Sequence, residues 1–398
     1  MAAPAWWPTL TVSLQLGYGI EDSWSDAFTD VTDAVRSVSM RTGRDDEFGD
    51  AQAGTCTIVL DNQDGTYDPS VNTDLRPNIR VTVGVEVDDV IGTTAYNLFS
   101  GFVDAITQTW DSAWGETVTL ECVDVLALLA LLPFSATRTS EVISVRWGAI
   151  TTDLVPAYVD VVDDYGGTVR EMPSQTYTDA NMLDALKEVA LAEDGVIVAS
   201  GTTLRLYGQD TWGSFAPALT LTDAPSGGAE MEYESVDIDV SNTYVYNDVT
   251  VTDDAAHSSR TINGSAVARH GLRRYELTIP VDDSAETRRR ADRIAYGYGD
   301  PRVRVKSVTV RPVPSQAQQA DGGAWHDLLN SPRGATVIVE GARPGGAFSQ
   351  WCVVEGVAHD ISQNGEWTVT LSTSPVTASA GALYETEPFH YEDARYWG

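Results

Sequence analysis

The chain has 398 residues and a formal net charge of −33, from 58 acidic residues against 25 basic ones. Single cores stop growing at about 250–300 residues, so more than one core is expected. The acidity argues against broad contact with nucleic acid or an anionic membrane surface, since both would repel the chain unless a local basic patch reversed the sign.

Cys56, Cys122 and Cys352 lie in strand-like runs, where a cysteine behaves as a small buried hydrophobe, and they imply no disulfide framework. The start, Met-Ala-Ala-Pro-Ala-Trp-Trp-Pro, lacks the basic and apolar regions of a signal peptide. The longest apolar run, 123–134, is interrupted by Asp124 and reaches about half a membrane span. These features predict synthesis in the cytoplasm and no membrane insertion of its own.

Taken in chain order, period-two alternation marks strands at 9–16, 37–41, 54–61, 79–87, 96–109 and 117–123. Turn residues between them favour a small antiparallel barrel or sandwich. Within 36–69, RSVSMRTGRDDEFGDAQAGTCTIVLDNQDGTYDP, a charged loop precedes the strand at 54–61, and Asp64-Gly65 predicts a tight hairpin after it. Asp61, Asp64 and Asp68 do not have the spacing of a calcium loop. A short helix at 125–132, stopped by Pro133, is expected to close this domain, 1–134.

Helical patterns at 145–155 and 177–193, the latter with Asp179 as N-cap and Asp194-Gly195 as stop, feed two strands at 196–199 and 203–207. This predicts an α+β domain, 135–235. Alternation returns at 236–240, 244–252, 274–281, 302–313, 335–340, 349–360 and 366–374, with a helix at 283–297. A second barrel-like domain, 236–375, would thus repeat the architecture of the first, followed by a tail at 376–398. The fold class expected is mainly β, two antiparallel barrel-like domains flanking a smaller α+β domain.

Three stretches carry a resemblance: GRDDEF with AGTCTIVLDNQDGTYDP, then DANMLDALKEVALAEDGVIVASGTTLRLY, then ETRRRADRIAYGYGDPRVRVKSVTVRP with HDISQNGEWTVTLSTSP. Over roughly 10–375 the chain resembles hub-type minor tail proteins of long-tailed bacteriophages, especially those infecting actinobacteria. The resemblance implies a structural virion protein at the distal tail, made of two β-barrel domains with α+β insertions. It implies a homotrimer whose six barrels form a ring of pseudo-sixfold symmetry. The partners implied are the distal tail protein, tail tube, tape measure protein and central fibre, with an axial passage for DNA. Some such proteins carry a fused peptidoglycan-cleaving domain; with about 23 residues after the last predicted strand, none is expected here.

No catalytic, cofactor or metal residues are assigned. His257, His270, His326, His359 and His390 lie apart, and no Ser or Cys sits in a nucleophile motif. Basic residues concentrate at 269–311, where Arg288, Arg289, Arg290 and Arg293 read as a solvated helix face or as a subunit contact against an acidic neighbour, with DNA binding third because no aromatic interleaving or groove-reading motif accompanies them. Reversing Arg288, Arg289 and Arg290 to Glu should, on the second reading, weaken the ring. Tyr391, Tyr396 and Trp397 of the aromatic tail are candidate partner contacts, or pack on their own domain, and Trp6 and Trp7 leave the same choice. The alternative function is a carbohydrate-binding adhesin stacking sugars on Trp110, Trp114 and Trp212.

Overall fold

The computed structural model describes residues 8–19, 27–88, 93–111, 115–154, 160–164, 170–200, 203–209, 211–213, 216–217, 219–225, 230–311, 323–330, 333–343, 346–363 and 365–376. The first seven strands are β1 (Thr9–Gln15), β2 (Thr29–Asp30), β3 (Val35–Gly43), β4 (Gln52–Asp61), β5 (Arg80–Asp88), β6 (Thr93–Asp111) and β7 (Gly115–Val123). All their pairings are antiparallel, in the order β2-β1-β5-β6-β7-β4-β3. Only residues 31–34 lead from β2 at one edge to β3 at the other, so the edges must lie close and the sheet curls into a barrel. At the start of this link Val31 N–H donates to Val12 O of β1 at 2.9 Å.

The expected hairpin at Asp64-Gly65 does not form. β4 pairs with β3 and β7, and the next strand, β5, pairs with β1 and β6. Residues 62–79 instead form a crossing loop, whose first turn is held by buried Asn62 accepting from Tyr67 N–H at 2.6 Å. Asp61, Asp64 and Asp68 each accept a backbone N–H two residues on, at 3.1, 3.0 and 2.7 Å, which is local turn chemistry.

Next come α1 (Val125–Leu129), β8 (Pro133–Arg138), β9 (Glu141–Val142), α2 (Ile143–Leu154), β10 (Asp160–Asp164), β11 (Glu171–Met172), β12 (Gln175–Asn181), α3 (Met182–Glu193), β13 (Val196–Ser200) and β14 (Thr203–Tyr207). The helix expected from 177 starts at Met182. Tyr177 pairs with Ala136 in a strand, Asp179 takes φ +46° at the register shift, and Asn181 is the N-cap, accepting from Leu183 N–H at 2.9 Å. Asp194 stops α3 in the left-handed conformation, φ +61°.

The chain continues with β15 (Leu219–Thr222), β16 (Glu230–Glu232), β17 (Ser235–Asp239), β18 (Asp248–Asp253), β19 (Ser258–Ile262), α4 (Gly264–His270), β20 (Arg274–Ile279) and α5 (Ser284–Gly297). It ends with β21 (Arg304–Val310), α6 (Gly323–Asn330), β22 (Thr336–Arg343), β23 (Gly346–Ser362) and β24 (Trp367–Pro375). β15, β16, β17, β21, β22, β23 and β24 form the second barrel, ordered β16-β15-β22-β23-β24-β21-β17. In both barrels the strands, counted along the chain, therefore pair in the sequence second, first, fifth, sixth, seventh, fourth, third. The duplicated architecture is real at the level of topology, with one departure. The first strand runs parallel to its two neighbours in the second barrel and antiparallel in the first.

The barrels are joined as one sheet. β23 leaves β22 after Val353, and residues 356–362 pair antiparallel with residues 43–37 of β3. Buried side chains of both barrels merge into a single cluster running from Val12 and Leu14 to Val369 and Leu371. A second cluster gathers α1, α2, α3, β13 and β14 with Val249, Val251, Ile279, Ala291 and Ile294, so α5 packs there and not inside the second barrel.

Asp124 ties the two clusters together. It is buried, caps α1 through Leu126 N–H at 2.9 Å, and accepts from Gly54 N–H of β4 at 2.7 Å. Burial pushes its carboxyl from 3.8 up to about 6 despite these donors and Arg333. Because the folded value lies above the unfolded one, the folded chain keeps a proton that the unfolded chain has lost between about pH 4 and 6. Stability should fall as pH rises through that window, by about 2–3 kcal/mol, relative to Asp124→Asn. Urea unfolding of both proteins at pH 4 and pH 7 checks this. A constant difference between them would refute it.

Candidate functional site

The loop 44–51, which joins the third and fourth strands of the first barrel, sits where the barrels and the second core meet. Arg44 Nε donates to Glu355 Oε2 of β23 at 2.6 Å, and buried Glu355 also accepts from Ser374 Oγ. Asp46 Oδ2 accepts from Tyr244 O–H at 2.6 Å. Glu47 pairs with Arg304, whose guanidinium also lies 4.7 Å from the Tyr244 ring centroid and 5.5 Å from that of Tyr298. Burial raises the Glu47 carboxyl above its ordinary value against the pull of Arg304. Phe48 lies 4.8 Å from Tyr298, 5.4 Å from Tyr246 and 5.6 Å from Tyr244, centroid to centroid. Aromatic pairs of this geometry add about 0.5–1.5 kcal/mol each beyond area burial. The polar loop of the sequence signature is thus an internal clamp.

A cleft of about 260 Å³ remains beside it, lined by Arg44, Phe48, Asp194, Trp212 and Arg293 among others. Trp212 stacks edge-on with Tyr207 at 5.4 Å, lies under Arg44 and meets the Gly334 backbone. It is packed, not a free sugar platform. Trp110 is 78% exposed.

The arginines of α5 divide sharply. Arg290 is fully buried, donating to Glu286 Oε1 at 2.6 Å and to the Leu191 and Ala192 carbonyls at 2.7 and 2.6 Å. Arg289 spans Glu286 and Asp194, and Arg293 reaches Asp194 at 2.5 Å. Burial works against the Asp194 charge, yet Arg290, Arg293 and Arg289 together hold its carboxyl below the usual value. These three residues dock α5 on the C-terminal end of α3, where backbone carbonyls attract cations. Arg288, paired only loosely with Asp292 at 3.7 Å, is the exposed member. Tyr391, Tyr396 and Trp397, with Trp6, Trp7, Trp114 and His390, lie outside the described residues.

His359 is buried against Trp367, and burial pushes it down to about 4. His257 Nδ1 lies 2.8 Å from Asp253 Oδ2 and 3.7 Å from Asp282 Oδ1, a grouping that no sequence motif flags because Asp282 enters from another strand end. The hydrogen bond and charge of Asp253 raise the His257 value.

Two strand edges are left with a single neighbour. Among the described residues β17 pairs with β21 alone, and residues 105–111 of β6 pair with β7 alone. Each leaves one side of its ladder open.

No protein-family model matches the chain, and no curated protein matches it. Solved structures do. A tail protein from Neisseria meningitidis MC58 superposes with a TM-score of 0.62 at 11% identity, covering 92% of this chain and 97% of that one. The 43 kDa tail protein of prophage MuSo2 from Shewanella oneidensis gives 0.60 at 10% identity, covering 92% and 98%. An E. coli type VI secretion system component, described as similar to the T4 bacteriophage tail proteins gp27 and gp5, gives 0.50 at 10% identity over 87% and 75%. The chain has the fold of these tail proteins and of this secretion-system component.

Proposed function

We propose that the chain is a structural component of a phage virion, a tail-tip or baseplate hub at the distal end of the tail. Three copies close into a ring of six barrels, joining the tail tube and distal tail protein to the central fibre and leaving an axial passage for DNA past the tape measure protein. The observation that carries this reading is the duplication: one chain holds two barrels of the same strand order, joined side by side by strand pairing. Three such chains offer six similar units to a sixfold tube. Full-length similarity to phage tail proteins supports the same reading. The charge of −33 suits a conduit for a polyanion, because acidic walls do not hold DNA. The role is non-enzymatic, and exposed Arg288 offers a cation to an acidic neighbour.

Exposed Trp110 favours a second reading, the adhesin that stacks sugars. Electron micrographs of the purified chain separate the two. Face-on rings of six lobes support the hub. Two-lobed single particles, together with binding in a glycan screen, would support the adhesin and overturn the hub.

A further inference from the structure

The seam between the two barrels can be mapped onto the two open edges, because the barrels share register as well as strand order. In the first barrel Ile106 and Ile58 both lie opposite Leu120 of β7, and in the second Val357 and Val308 both lie opposite Leu371 of β24. Each sixth strand is shifted just before this point, between Val103 and Ala105 in one barrel and between Val354 and Gly356 in the other. These matches place Ile106 where Val357 stands, and counting along β6 places Trp110 where Ile361 stands. On the third strands, Val38 lies opposite Ile58 and Val236 opposite Val308, so Val236 stands where Val38 does.

Within the chain the seam pairs Val38 with Ile361, Met40 with His359 and Thr42 with Val357. Transferred to the open edges, that register pairs Val236 with Trp110, Ile238 with Gln108 and Val240 with Ile106. The apolar residues are already in place. Ile361 is 7% exposed where the seam covers it, whereas its counterpart Trp110 is 78% exposed on the open edge, and Val240, just past β17, is 61% exposed. Val236, Ile238 and Ile106 lie partly buried against the barrel core, on the face that a neighbouring strand would complete. An uncovered edge with large apolar side chains invites another strand.

We infer that β17 of one copy adds antiparallel to residues 105–111 of β6 of the next, in the register Val236–Trp110, reproducing between chains the seam that β3 and β23 make within one. The contact uses different surfaces on its two sides, so it must close into a ring or run on as a filament. Alternation of internal and intermolecular seams around the ring then makes every barrel's surroundings alike. This inference rests on the ring reading and adds its residues.

Directly opposite residues in antiparallel strands have Cβ atoms about 4.5–5.5 Å apart, close enough for a disulfide after small adjustment. The test is the full chain carrying Val236→Cys with Trp110→Cys, oxidised mildly and run without reductant. The native Cys56, Cys122 and Cys352 are buried and free. Covalent trimers are expected, while Val236→Cys with Thr109→Cys, which puts the thiols on opposite faces, should stay uncrosslinked. Ile238→Cys with Gln108→Cys serves if the first pair misfolds. A native trimer without the 236–110 link, or equal linking in the 236–109 control, would overturn the strand assignment and leave the ring standing. A single-chain mass without any link would remove both.

Discussion

Replacing Arg290 by alanine is expected to cost about 3–5 kcal/mol, the range found when one partner of a buried ion pair is removed. Its guanidinium is fully buried and satisfies Glu286 and the Leu191 and Ala192 carbonyls at once, so truncation leaves Glu286 to Arg289, takes the side-chain donor from the end of α3 and opens a cavity between the two helices. Folded proteins hold only about 5–15 kcal/mol in total, so the variant should unfold at much lower urea or fail to accumulate. Arg290→Lys should recover little, since an ammonium cannot span the three acceptors with a planar fork. Arg288→Glu, two residues away and on the exposed face, should change stability by no more than about 0.5 kcal/mol. Equal midpoints for Arg290→Ala and Arg288→Glu would contradict this assignment. The joint reversal of Arg288, Arg289 and Arg290 therefore mixes folding with assembly, and Arg288→Glu alone is the cleaner probe of a subunit contact.

The seam between the barrels should be nearly as sensitive at Gly43. Its φ of +93° is strained for any side chain, and a Cβ there would lie 2.3 Å from the Glu355 carbonyl oxygen and 2.7 Å from the Gly356 Cα. Both are backbone atoms, so neither can swing aside. Left-handed strain costs roughly 1–3 kcal/mol and an overpacked contact roughly as much again, giving about 3–5 kcal/mol for Gly43→Val. Gly365→Ala isolates the strain, because its φ is +77° with nothing within 4 Å of the added atom. Hydrogen exchange in residues 37–43 and 356–362 should rise in Gly43→Val and stay unchanged in Gly365→Ala. Unchanged protection in Gly43→Val would mean that the barrels are not held by this ladder.

Much of the architecture is legible in the sequence because a strand with one buried face must alternate. Thr55, Thr57 and Val59 against Cys56, Ile58 and Leu60 report β4 directly, and the same holds for β7 and β24. What alternation does not carry is the partner. The Asp64-Gly65 turn suits a hairpin locally, yet β4 sits between β3 and β7 because the barrel's closure decides the pairing. The α3 start was hidden for a related reason. Tyr177 fits a helical pattern until β8 offers it a strand, and Asn181 then caps what remains.

The candidate site shows the same division. The charged loop 44–51 is conspicuous in the sequence, but its partners Glu355, Arg304 and Tyr244 come from residues about 200–310 positions away and only the fold brings them together. Arg288 and Arg290 look alike in a run of arginines. One faces solvent and one is buried because its guanidinium meets the Leu191 and Ala192 carbonyls at the end of α3, and backbone acceptors leave no trace in a residue pattern. The strand edges that we assign to the neighbouring copies became visible only through the duplicated topology, since the barrels share no obvious residue-level identity.

The ring is tested most directly by the mass of the purified native chain, measured by light scattering at two concentrations and two salt levels. The account predicts three times 42.9 kDa under all four conditions. A mass of one chain throughout would contradict it.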